Sequence, residues 1–372
     1  MATSSQIKKR IYLILTFISL LFSSYGQVLK DFNWVDVQND SKIKLQGQLW
    51  GDEVNDRFDR LPASHESKVR KEVWELSQNP AGVYIDFYTT ADSIVLNYKY
   101  KGKESLKNMT SIGVSGMDLY VFTKNRRWVW AQGKYSSFKK DDMTIFFSNL
   151  KAQEVSKYRL YFPLYNSIYD VKIGLNKNAD LTPVSNILKP IIVYGTSIAQ
   201  GASASRAGLA WTSILGRQLE VPVVNLGFSG NGRLEKEMVD LIALQEASIY
   251  IIDCLPNLVA FTDEDVYQRL LYTWTTLRSK SPKTPIIFTE HADATIDLLN
   301  NRSQLEYQRV NKNFRKFIAE NISLKDKNVH VVTAEAIGLG IDDTIDGIHP
   351  SDLGMKKYAD AYQKLILDVL KL

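Results

Sequence analysis

The sequence predicts an α/β domain, a parallel sheet flanked by helices, preceded by an all-β sandwich or jelly-roll domain. Three observations carry this. Residues 27–184 hold many short runs that alternate, or are rich in β-branched and aromatic side chains, between polar or glycine turns. Residues 185–372 instead alternate continuous apolar runs with amphipathic segments of helical period, the pattern of a parallel sheet covered on both faces. A polar stretch at 178–183 separates the two rhythms and reads as the linker.

The first 26 residues read as a secretory signal peptide. Lys8, Lys9 and Arg10 form a basic start, 11–22 is a short apolar run, and Ser24 and Gly26 precede a cleavage point before Gln27. The run is too short and wrongly flanked for a stable membrane span, and no cysteine follows it to take a lipid. The expected destination is the periplasm or the exterior of a bacterial cell. Losing these three cations lowers the formal charge from +5 to +2, and no basic stripe is interleaved with aromatics, so no nucleic-acid partner is expected. Cys254 is the only cysteine, which excludes an intrachain disulfide and leaves packing to hold two cores.

In the first domain, 82–89, 93–100, 118–122 and 143–147 read as strands, while 66–76 is either a short helix or a connection. Trp128 and Trp130, two apart, fall on one side of a strand; core packing is the preferred reading over a sugar-stacking platform. In the second domain, strands are expected at 191–197, 222–227, 247–254, 284–291 and 329–334, with helices near 208–219, 234–244, 263–279, 305–322 and 351–372. Such sheets place ligands at the carboxyl ends of their strands, where Ser197, Gly230 and Asn257 all fall.

Ser197 ends an apolar strand before a glycine-containing turn, which exposes its hydroxyl for attack. Ser203, Ser205 and Ser229 are rivals, and there is no G-x-S-x-G elbow. His349, one of four histidines, stands three residues after Asp346 and just before a helix that Ser351 or Asp352 could cap. A serine nucleophile needs a base for its proton and a carboxylate to orient that base, so these three form the candidate catalytic set. An oxyanion needs preorganised donors. The backbone N–H groups of Ser197 and Gly230 and the side-chain amide of Asn257 are the candidates, Gly230 because glycine permits close approach of the chain.

Together, Gly195-Thr196-Ser197, Gly230, Asn257 and Asp346-x-x-His349 resemble the four ordered blocks of the SGNH (GDSL-like) hydrolase family over residues 188–372. Thr196 stands where many relatives carry aspartate. Residues 195–206 and 108–120 resemble a bacterial two-domain subgroup with an N-terminal β-sandwich. The resemblance implies a flavodoxin-like catalytic fold and an acetylated plant-type carbohydrate as substrate. A lipase or acyl-thioesterase, accepting long chains beside Leu255, Leu258 and Phe261, and a carbohydrate-binding protein with an inactive hydrolase domain are the alternatives. Arg206, close after Ser197, is a candidate for substrate contact or a surface salt bridge. His291, at a strand end, is a candidate rim residue for substrate contact, with strand-end packing the preferred reading; His330 reads as a core residue. No His-Glu-x-x-His or His-x-His run occurs, so neither a metal nor another cofactor is expected.

Overall fold

A computed structural model describes residues 32–139, 142–150, 155–176, 178–292, 302–322 and 325–371, so the expected signal peptide lies outside the described residues. No helix among the described residues is long and apolar enough to cross a membrane.

The first domain is two antiparallel five-stranded sheets. One is ordered β1-β9-β3-β7-β6, from β1 (Phe32–Asp36), β3 (Ile94–Lys101), β6 (Lys134–Lys139), β7 (Asp142–Phe147) and β9 (Ser167–Asn176). The other is ordered β10-β2-β8-β4-β5, from β2 (Tyr84–Thr89), β4 (Asp118–Phe122), β5 (Trp128–Ala131), β8 (Ser156–Tyr161) and β10 (Thr182–Val184). The expected linker at 178–183 thus runs into a strand, because Thr182 and Val184 pair with Tyr88 and Asp86 of β2.

The period-two alternation of the second sheet sorts neighbours between two cores. Ile85, Phe87, Leu119, Tyr158 and Leu160 fill the sandwich, whereas Tyr84, Tyr120 and Tyr161 point the other way and join the core of the catalytic domain. Three buried tyrosines of this kind contribute on the order of 10 kcal/mol of hydrophobic stabilisation to the domain contact, an upper figure. The same parity corrects the expectation for the tryptophans. Ala131 pairs with Leu119 and takes the sandwich-core face, so Trp128 and Trp130 lie on the opposite face, where Trp128 packs against the core of the second domain and exposed Trp130 donates Nε1–H to Asp118 Oδ1 at 2.7 Å.

The stretch at 66–76 contains a helix, α1 (Lys71–Ser77), whose Val73 and Trp74 pack into the catalytic core with Trp50 and Leu61. A second short helix, α2 (Ser111–Ser115), precedes β4. The catalytic domain has a parallel sheet ordered β12-β11-β13-β14-β15, from β11 (Ile191–Gly195), β12 (Val223–Gly227), β13 (Ile249–Asp253), β14 (Ile286–Thr289) and β15 (Val329–Val332). Its helices are α3 (Ser197–Gln200), α4 (Trp211–Leu219), α5 (Lys236–Ala243), α6 (Asp263–Lys280), α7 (Arg302–Phe317), α8 (Ala334–Ile337) and α9 (Asp352–Leu370). His330 is half-buried on the edge strand β15 rather than in the core.

Strand order reverses at β11, which makes the carboxyl end of β11 a topological switch point. The opposite edge of the sheet, β12, is covered by the first domain. Buried Arg60 donates Nη1–H to the outward carbonyls of Asn225 (2.8 Å) and Gly227 (2.9 Å). Helix α9 packs on α4, with the Trp211 and Tyr362 rings stacked at 4.4 Å, and this fixes the chain just before α9, where His349 lies.

Candidate active site

Strand β11 is buried throughout and delivers the chain into α3. Thr196 is the N-cap, its hydroxyl accepting from Ile198 N–H (3.3 Å), a capping role that threonine and aspartate share. Ser197 is the first helical residue, so its own backbone N–H is one that the helix leaves free.

The Ser197 Oγ lies 2.9 Å from His349 Nε2, across 152 residues of sequence. His349 Nδ1 lies 2.7 Å from Asp346 Oδ2, while Asp346 Oδ1 accepts from the backbone N–H of His349 (2.8 Å) and of Ile348 (3.1 Å). Gly347 has φ of 85°, the left-handed conformation that lets the turn between them close. Burial alone would raise the Asp346 carboxyl, but the His349 backbone, its ring and the Ile348 N–H together hold it below the ordinary carboxylate value. Ser351 occupies the N-cap of α9 without capping it; its hydroxyl instead donates to the Asp342 carbonyl (3.2 Å). A hydroxyl on one imidazole nitrogen and a carboxylate on the other is a geometry that can draw a proton off serine.

The two ring nitrogens of His349 are taken by Ser197 and Asp346 and not by a rival serine, and Ser203 Oγ accepts instead from Asn108 Nδ2 (3.0 Å).

Register sets Gly195 between Gly227 of β12 and Asp253 of β13, so the loops after those strands flank Ser197. Gly230 occupies one, with φ of 69° and open space where a Cβ would stand. Its left-handed φ is one reason for glycine here. Asn257 sits after β13, in the 3-10 turn Leu255–Leu258. Oriented to satisfy its neighbours, its Oδ1 accepts from the N–H groups of Asn231 (3.0 Å) and Gly232 (3.1 Å), which leaves Nδ2 as a free donor. The side chain thus ties the Gly230 turn to the end of β13.

Two further expectations are corrected. Arg206 is turned into the domain interface, donating to Asp118 Oδ2 (2.5 Å) and Tyr120 Oη (2.6 Å) with its guanidinium 4.3 Å over the Trp130 ring. Of the two readings given for it, the salt bridge is the one seen, within the domain interface rather than on the surface. His291 is buried rather than on the rim, 4.0 Å from the Tyr307 ring, with neither ring nitrogen hydrogen-bonded among the described residues. Burial, reinforced by nearby His349, pushes its pKa down to about 3, so the ring stays neutral.

Sequence reasoning passed over Gln200 and Asn225. Buried Gln200 donates Nε2–H to the Leu164 carbonyl of the first domain (3.1 Å) while its Oε1 holds Ser229, joining the nucleophile helix to the Gly230 loop. Asn225 donates to the Ala199 carbonyl (2.7 Å) and accepts from Gly227 N–H (2.8 Å). A lone amide inside Val223-Val224-Asn225-Leu226-Gly227 was the available signal, since a buried polar group demands partners.

Fold and site together define a flavodoxin-like sheet that carries a serine, a histidine and an aspartate in hydrogen-bonded sequence at its switch point. Residues 188–367 match the GDSL-like lipase/acylhydrolase family, and residues 32–181 match the GxDLY model, the N-terminus of SGNH-hydrolase-type esterases. The chain belongs to the SGNH (GDSL-like) hydrolases, ester-bond hydrolases here extended by an N-terminal β domain. A protein described as a GDSL-like lipase from Bacteroides ovatus ATCC 8483 shares 28% identity over 91% of this chain and 98% of its own, with a TM-score of 0.82. The salicylyl-acyltransferase SsfX3 from a tetracycline biosynthetic pathway shares the fold at 18% identity (92% of this chain, 98% of its own, TM-score 0.69). So does a family two carbohydrate esterase from Cellvibrio japonicus at 11% identity (91% and 98%, TM-score 0.57). No curated protein matches the sequence.

Proposed function

We propose that the protein is an exported serine esterase that removes O-acetyl groups from plant-type oligo- or polysaccharides through an acyl-enzyme on Ser197. The observation that carries the reading is the relay from Ser197 Oγ to His349 Nε2 at 2.9 Å and from His349 Nδ1 to Asp346 at 2.7 Å. His349 takes the hydroxyl proton as Oγ attacks the ester carbonyl. The carbonyl oxygen becomes an oxyanion met by the N–H groups of Ser197 and Gly230 and by Asn257 Nδ2. On collapse, the bond to the sugar oxygen breaks and His349 protonates the leaving alcohol. A water, deprotonated by His349, then cleaves the acetyl-enzyme and releases acetate, while Asp346 holds the ring throughout.

A carbohydrate-borne ester is supported by the fold shared with the family two carbohydrate esterase from Cellvibrio japonicus. A long acyl chain is disfavoured because Leu255 and Leu258, which would greet it, are consumed by the core, and Phe261 lies beneath Arg269. The test is acetate release from acetylated xylan, mannan and pectin fragments, with a p-nitrophenyl ester series. Activity should peak at acetyl and vanish in Ser197→Ala at an unchanged melting temperature. A peak at long acyl chains rejects the acetylesterase reading, and unchanged turnover in Ser197→Ala rejects the nucleophile.

A further inference from the structure

The turn that carries Gly230 is closed by backbone bonds from the Asn231 and Gly232 N–H groups to the Phe228 carbonyl (2.8 and 2.9 Å), and side chains from elsewhere hold it further. One of them comes from far back in the chain. Arg70, the N-cap residue of α1, donates Nη1–H to Asn231 Oδ1 (2.8 Å) and Nη2–H to the Asn231 carbonyl (3.4 Å), while its Nε is bonded to Glu235 Oε1. Its remaining contact, Nη1 to Glu72 at 3.3 Å, is on its own helix. Asn231 directs its own Nδ2–H to the Ser229 carbonyl (2.8 Å), and its backbone N–H is held by Asn257. The residue after Gly230 is therefore gripped from two sides, by Asn257 on its amide and by Arg70 on its carbonyl and side chain. The Ser229 carbonyl that Asn231 Nδ2–H holds shares a peptide plane with the Gly230 N–H, so the Arg70 grip on the Asn231 side chain carries over to the pose of that N–H. The fork also joins both ends of the 231–235 segment, which a single-point cation cannot do.

We infer that Arg70 is a positioning residue for the oxyanion turn, acting through Asn231 without touching substrate. The inference deepens the esterase reading and rests on it for its kinetic consequence. A donor aimed at developing charge matters in the transition state more than in the bound ester, so its misplacement lowers kcat and spares KM.

Arg70→Ala and Arg70→Lys would be compared with the wild-type protein by p-nitrophenyl acetate kinetics, urea unfolding and amide exchange at Gly230, Asn231 and Gly232. The side chain is about one-third exposed, so both variants are expected to fold. Expected are a kcat at least tenfold lower with KM within twofold in both variants, and amide exchange at least tenfold faster at the turn. Asn231→Ala, which removes the acceptor and leaves the cation, should reproduce both effects. A wild-type kcat in Arg70→Ala, or full recovery in Arg70→Lys, overturns the inference, since either means that the fork is not what places the turn. Unchanged amide exchange overturns it as well, and that readout stands even if the wild-type protein proves to have no esterase activity.

Discussion

Gly232 rests on the backbone of Gly195: a Cβ placed on it would lie 2.0 Å from the Gly195 carbonyl oxygen and 3.2 Å from the Thr196 nitrogen. The turn that offers Gly230 is thereby seated on the strand end that offers Ser197. Backbone cannot rotate away as a side chain can, so Gly232→Ala must push the turn off its seat. Overpacking of this kind costs about 1–3 kcal/mol, and kcat should fall more than tenfold. Wild-type kinetics in that variant would show that the seat does not set the site.

Asn257→Ala should lower kcat by about 10²–10³, the usual effect of removing one oxyanion donor. It also leaves the Asn231 and Gly232 N–H groups with the Phe228 carbonyl as their acceptor in place of two, so amide exchange at the turn should quicken. Steady-state kinetics and urea unfolding separate a lost donor, with kcat reduced and stability largely kept, from collapse of the fold.

Two buried groups give stability opposite slopes with pH. His291 has its pKa pushed down to about 3, whereas an unfolded histidine titrates near 6.5, so its contribution is present above about pH 6.5 and is lost as pH falls towards 3. Asp253 has its pKa pushed up to about 7 by burial, against about 3.9 unfolded, so its contribution is present below about pH 4 and is lost as pH rises towards 7. Each slope is at most about 1.4 kcal/mol per pH unit, and the two largely cancel between about pH 4 and 6.5. His291→Gln should therefore lose stability as pH rises across that interval, and Asp253→Asn should gain it. Urea midpoints that run parallel to wild type in both variants would contradict these assignments.

Arg206→Ala removes one partner of a largely buried ion pair and leaves Asp118 with only Trp130 Nε1–H and Gly208 N–H. Breaking such a pair typically costs about 3–5 kcal/mol, which urea unfolding would register as a lower midpoint. A wild-type midpoint would mean that those two donors suffice for the carboxylate.

The parallel sheet was legible because each of its strands is a continuous apolar run between helical segments. The candidate site was legible because its residues stand at strand ends or just before a helix. The sandwich was read only in part. Strands β1, β6, β8, β9 and β10 were not singled out, since half of each can face solvent or a second core and the alternation is diluted. Arg60, Arg70 and Arg206 were illegible for another reason. Their acceptors lie 165, 161 and 88 positions away, and no local pattern marks a cation that will be spent on a distant carbonyl, amide or carboxylate. Gly230 was found, but its left-handed φ was not, because sequence does not distinguish a glycine needed for its φ from one needed for its size.

Arg60 has one more effect. A sheet that stops at β12 leaves a row of hydrogen-bonding groups with which a stray strand from another molecule could pair. The guanidinium occupies two of those carbonyls, so the first domain acts as a stopper against polymer growth. Severing the chain near residue 185 would uncork that margin, and the liberated catalytic half should be prone to self-association.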